Sequence, residues 1–97
     1  MRTLEEIERI LRQRKSELRD RYGITELGVF GSYVRSEQRD NSDVDILVTL
    51  ERPVSLLTFS EMGHYIEDIL GVRVDLVLKK TLKPFIGKRI LKEVQYV

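Results

Sequence analysis

Three aspartates interrupt segments that otherwise alternate as β-strands in this 97-residue chain. Asp43 and Asp45 flank Val44 at the start of the run Val44-Asp45-Ile46-Leu47-Val48, whose period of two marks an extended segment. In such a segment both carboxylates leave the same face, roughly 6.5–7 Å apart along it. Asp75 lies between Val74 and Leu76 in a second alternating run. Like charges side by side repel, and a partly buried carboxylate without a partner is costly. Sheet stability therefore asks for no such group. A hard divalent cation does, because Mg²⁺ takes carboxylate oxygens together with substrate phosphate oxygens. One Asp at a strand start is ordinarily a turn or cap residue; three that converge, if their strands are neighbours, point to a metal.

Gly31-Ser32 follows directly on the short apolar run Leu27-Gly28-Val29-Phe30. Glycine lets backbone approach a ligand closely, and a hydroxyl beside free N–H groups at a turn suits phosphate oxygens. Gly-Ser is also a common turn, so this feature gains meaning only beside the acids. No Gly-Lys-Ser/Thr follows it and no G-x-G-x-x-G occurs, which excludes a P-loop and a dinucleotide fingerprint.

The elements that must position these residues follow from periodicity. Thr3 and Glu6 form a capping-box pair, and Leu4, Ile7, Ile10, Leu11 and Leu18 continue at helical spacing to a stop at Gly23. Leu27–Phe30 predicts a buried strand and Val44–Val48 a second. Ser55 or Thr58 opens a helix with Leu56, Leu57, Phe59, Met62, Ile66, Ile69 and Leu70 as its apolar positions, ended by Gly71. Val72–Leu78 alternates as a third strand. Pro84 starts a last helix with Phe85, Ile86, Ile90, Leu91, Val94 and Val97 expected to face inward. The order α-β-β-α-β-α predicts an α/β (α+β) fold, a mixed three-stranded sheet covered by helices. The helix between strands two and three has the length of a parallel crossover, and the shorter link between strands one and two permits an antiparallel pair.

Composition narrows the classes of function. With 41% hydrophobic and 34% charged residues the chain can bury a core, and neither repeats nor linkers divide it, so one domain over residues 1–97 is expected. Seventeen basic against sixteen acidic residues leave a net charge of +1, giving no support for nucleic-acid binding by bulk charge. The absence of cysteine excludes disulfides, thiolate metal ligands and thiol catalysis, and fits a reducing, cytoplasmic setting. No apolar run approaches the roughly 20 residues of a membrane span, and no signal peptide is expected from an N-terminus with five acids in its first 20 residues.

Gly31-Ser32, ten residues from Tyr33 to Ser42, then Asp43-Val44-Asp45 resembles the G-S-x10-D-x-D signature of the DNA-polymerase-β-like nucleotidyltransferases. The nearest branch is that of the minimal nucleotidyltransferase, or MNT, domains. Ser42 before the first Asp, Arg35 after Gly-Ser, the strand-borne Asp75 and the chain length all agree, and the likeness covers essentially the whole chain. Ser36-Glu37 departs from it, standing where many relatives carry glycine after the arginine. The resemblance implies a fold of that family and two Mg²⁺ ions held by Asp43 and Asp45, with Asp75 joining the ion that activates the attacking hydroxyl. It implies ATP as nucleoside triphosphate substrate, its β- and γ-phosphates cradled by Gly31 and Ser32, with Arg35 offsetting charge on pyrophosphate and Ser42 at the nucleotide site. It further implies a HEPN-type ribonuclease toxin as partner, AMP transfer to one of its tyrosines, and an antitoxin role.

Two other readings stand beside that one: a binding module that masks its partner without catalysis, and transfer to a small molecule or RNA end. Six bases between Lys79 and Lys92, with no acid among them, make either a solvated helix face or a basic rim near the Asp75 strand. His64 reads as structural and Arg39 and Arg73 as surface residues. Tyr33 either stacks on a base or packs at its loop.

Overall fold

The first helix of the computed structural model, which describes residues 2–97, begins where local chemistry demands. Thr3 Oγ1 accepts from the Glu6 N–H while the Glu6 side chain accepts from the Thr3 N–H, and α1 runs Leu4–Tyr22 to a left-handed stop at Gly23. β1 (Ile24–Phe30) follows at once, three residues earlier than its apolar run suggests. Next come a 3₁₀ turn at Gly31–Tyr33 and β2 (Val44–Leu50). Ser55 caps α2 (Leu56–Leu70), which leads to β3 (Val74–Leu78). Pro84 occupies the first turn of α3 (Pro84–Glu93), and β4 (Gln95–Tyr96) closes the chain.

The sheet order is β3-β2-β1-β4. β1 and β2 are antiparallel, while β2 and β3 are parallel through the α2 crossover, as expected. The expected three strands become four. Gln95–Tyr96, read as the tail of the last helix, instead pairs antiparallel with Gly28 and Val29. Gly28 makes that crossing possible: a Cβ there would stand 2.7 Å from Val94 Cγ2 and 3.1 Å from the Gln95 carbonyl oxygen.

Alternation then sorts the residues. Leu27, Val29, Val44, Ile46 and Val48 pack with Ile7, Leu11 and Leu18 of α1 and Met62, Ile66 and Leu70 of α2 in one core. The intervening positions of β2, Asp45 among them, leave by the other face of the sheet. The last helix differs from expectation. Phe85, Ile86 and Leu91 are exposed, at 86%, 61% and 46%, and Gly87 is its one buried residue. α1 and α2 cover the face that carries Val29, Val44, Ile46 and Val48, and α3 contributes no residue to that core. Leu56 and Leu57, in the first turn of α2, are exposed as well.

Truncation of the core should therefore register on α1 rather than on α3. Leu11→Ala is expected to cost about 2–5 kcal/mol in urea unfolding. Phe85→Ala should change stability by less than about 0.5 kcal/mol in the same measurement.

Candidate active site

The topology brings three chain segments to one end of the sheet. β1 is antiparallel to β2, so its C-terminal turn lies beside the start of β2; β3 is parallel to β2, so the two strands start together. In that register Asp45 stands directly opposite Asp75, one strand spacing away and on the same face. Asp45 is half-buried, whereas Asp43 and Asp75 are exposed.

Asp45 is the electrostatically stressed member. Burial, then the charges of Asp75 and Asp43, push its pKa up to about 6, with Arg35 pulling the other way. Asp43 is engaged elsewhere: Arg73 Nε lies 3.2 Å from its Oδ1, and Arg73 Nη2 donates to the Asn41 carbonyl at 2.8 Å. Arg73, expected to be a plain surface residue, thus ties down the loop that presents Asp43. The signal for it lay in the register, since one step back from the Val44–Val74 pair places Arg73 beside Asp43.

Among the described residues no three acidic or histidine side chains stand in ready coordination geometry. Asp43 is paired with Arg73 there. The donor chemistry still fits a hard cation: three carboxylates, all oxygen, one of them carrying a charge that its surroundings do not balance.

Gly31 lies against these acids. Its φ is +78°, and a Cβ there would fall 2.0 Å from Asp45 Oδ2, so only glycine lets the turn approach the carboxylate this closely. The Gly31 N–H donates to Glu93 Oε2 at 2.6 Å, and Arg35 Nη1 donates to both oxygens of the same carboxylate, at 3.0 and 3.1 Å. Arg35 Nε also reaches Glu37 Oε1 at 2.7 Å. Ser32 is half-buried, and its carbonyl accepts from the Glu37 N–H at 2.9 Å. Ser36 adopts φ +58°, a conformation that costs a non-glycine residue on the order of 1 kcal/mol.

The remaining expected residues sort plainly. Ser42 shapes the loop before Asp43: its Oγ accepts from the Arg39 N–H at 2.8 Å while its own N–H donates to the Arg39 carbonyl. Tyr33 packs into the core, 2% exposed, and is not available to stack on a base. His64 is exposed and pairs with Glu67 on its own helix. Lys79 and Lys80 fall just past the far end of β3, roughly 13 Å along the strand from Asp75, so they do not rim the acids. Lys79 is instead held by Glu26 at 3.1 Å and lies over the Tyr96 ring. A groove of about 650 Å³ lined by Pro53, Val54, Phe59, Leu78 and Lys80 also sits at that far end, away from the carboxylates.

A mixed sheet with paired acids at one end, beside a glycine-serine turn, defines a nucleotidyltransferase. The chain belongs to the nucleotidyltransferase domain family, whose model matches residues 6–97. It is 59% identical over 97 residues to the protein adenylyltransferase MntA of Thermococcus cleftensis, covering all of this chain and 98% of that one. A solved structure named as a minimal nucleotidyltransferase shares 35% identity at a TM-score of 0.73, over 92% of this chain and 93% of that chain. The fold also matches the complex of a tri-AMPylated Shewanella oneidensis HEPN toxin with MNT antitoxin. There the TM-score is 0.69 at 19% identity, over 93% of this chain and 70% of that chain.

The charge on Asp45 has a stability signature. Its carboxyl holds a proton more tightly folded than unfolded, so folding is unpenalised below pH 4 and increasingly penalised as pH rises through 6. In EDTA, Asp45→Asn should be more stable than the wild type at pH 8 by roughly 1–2 kcal/mol, a figure reduced for solvent screening. Urea unfolding at pH 8 and at pH 4 checks this, and the advantage should vanish at the lower pH.

Proposed function

We propose that this chain is a Mg²⁺-dependent protein adenylyltransferase that transfers AMP from ATP to a tyrosine of a HEPN-type toxin and so acts as its antitoxin. The observation that carries the proposal is the pairing of Asp45 with Asp75 beside Gly31, with Asp43 two residues away. The 59% identical relative named as a protein adenylyltransferase, and the AMPylated HEPN toxin bound to an MNT antitoxin in a structure of the same fold, supply the donor and the partner.

In this reading Asp43, Asp45 and Asp75 hold the metal, Asp43 exchanging Arg73 for it. Mg²⁺ bound there offsets the charge that develops on the entering and leaving oxygens. The Gly31 N–H, the Ser32 hydroxyl and the Arg35 guanidinium hold the β- and γ-phosphates. Ser42 keeps the loop before Asp43 in shape. The tyrosine oxygen attacks the α-phosphorus, and the bond from that phosphorus to the bridging oxygen of the β-phosphate breaks. AMP stays on the tyrosine and pyrophosphate departs. Asp75, the exposed carboxylate opposite Asp45, accepts the hydroxyl proton. Arg35 is placed to meet the charge that accumulates on pyrophosphate.

A second reading, masking of the partner by complex formation alone, draws support from the bare apolar surface of Phe85, Ile86 and Leu91. One experiment separates the two. The full chain is incubated with a HEPN-type toxin, Mg²⁺ and α-labelled ATP. Label on the toxin should fall below roughly 1% of wild type in Asp43→Ala and in Asp45→Ala. Equal labelling by these variants would sink the catalytic reading. Ribonuclease inhibition that survives undiminished in the Asp43→Asn, Asp45→Asn double variant would instead favour masking.

A further inference from the structure

We infer that Glu93 occupies the phosphate cradle of this chain and competes with the nucleotide for it, so that α3 is a displaceable strap across the site. The inference rests on the proposed triphosphate site. Its basis is that one carboxylate takes two anion-binding donors of the cradle at once. The Gly31 N–H donates to Glu93 Oε2 at 2.6 Å, and the Arg35 guanidinium reaches both oxygens, at 3.0 and 3.1 Å. A planar carboxylate gripped by a backbone amide and a guanidinium presents to them what two phosphate oxygens would.

Its setting makes this arrangement unexpected for stability alone. Asp45 already lies against Gly31, so a fourth carboxylate joins a patch that holds three. Glu93 also comes from far away, 62 residues along the chain from Gly31. What draws it in is the pair of donors. The Gly31 amide has a single hydrogen, which a phosphate oxygen cannot take while Glu93 holds it, and although Arg35 engages Glu93 through Nη1 alone, the two anions side by side would repel. Nucleotide entry therefore requires Glu93 to leave.

The strap is built to leave. Gly87 is the one buried residue of α3, and the helix shows Phe85, Ile86 and Leu91 to solvent. Glu93 is its last residue, and the short β4 that follows pairs with only Gly28 and Val29. α3 contributes no residue to the core formed by α1, α2 and the central strands, and the anchor of its segment lies beyond it, where Val97 packs against that core and donates to the Leu27 carbonyl. The alternative role, a brace that holds Arg35 and Gly31 ready for phosphate, predicts the opposite sign on removal.

Calorimetry on the full chain in Mg²⁺ distinguishes them, with inorganic tripolyphosphate and AMP-PNP as separate probes. Glu93→Gln, which keeps the shape and loses the charge, should bind tripolyphosphate about 5–20-fold more tightly than wild type. Glu93→Asp, one methylene shorter with its charge intact, should lie between them and guards against a folding defect in the first variant. Adding Arg35→Ala should cancel the gain. Equal or weaker binding by Glu93→Gln, or no tripolyphosphate binding by either protein, overturns the inference. A gain with tripolyphosphate while neither protein binds AMP-PNP leaves competition standing and removes the adenylyl-transfer reading. AMP-PNP bound equally by both does the reverse.

Discussion

The parallel pairing of β2 with β3 is the constraint on which the site depends. It sets Asp45 opposite Asp75 and, one step earlier, Arg73 beside Asp43. Because side chains alternate across a strand, a slip of one residue would turn Asp45 into the core and Val44 and Ile46 out of it. The apolar contacts of Val44, Ile46 and Val48 with α1 and α2 thus lock the register that the acids require. Packing on one face of the sheet positions chemistry on the other.

That arrangement places negative charge where the fold gains nothing from it. Asp45 is held part-way into the protein by the same strand that buries its neighbours, and its raised pKa records the strain. Two arginines temper the patch from either side, Arg73 at Asp43 and Arg35 near Asp45. Both sit on exposed segments and both are already shared with other partners. With both arginines engaged elsewhere, the negative charge of the patch is left only partly offset.

The C-terminal segment ties the edge of β1 to the turn that follows it. Gly28 admits Val94 and Tyr96 at close range, Val97 donates back to the Leu27 carbonyl, and Glu93 lands on Gly31 and Arg35. Lys79, Glu26 and Thr49 form a second polar chain on the way, so the basic run after β3 is partly spent on structure. The helix within this segment remains lightly packed, which separates the core that confers stability from the element that reaches the site.

Much of this was legible in the order of residues. Thr3 with Glu6, Gly23, Ser55, Gly71 and Pro84 mark helix ends by local hydrogen bonding and backbone conformation, and local rules do not depend on the rest of the fold. The spacing of Gly31-Ser32 and Asp43-Val44-Asp45 likewise carried the family and the residues to watch. Only tertiary structure decided the rest. Whether Asp75 met the other acids depended on register between strands separated by a helix. The reach of Glu93 depended on a two-residue strand too short to leave any periodicity. The apolar face of α3 looked like core because hydrophobic spacing reports a face, not whether another surface is free to cover it. Propensity acts within a few residues, whereas these contacts were settled by which surfaces remained after the larger ones had packed.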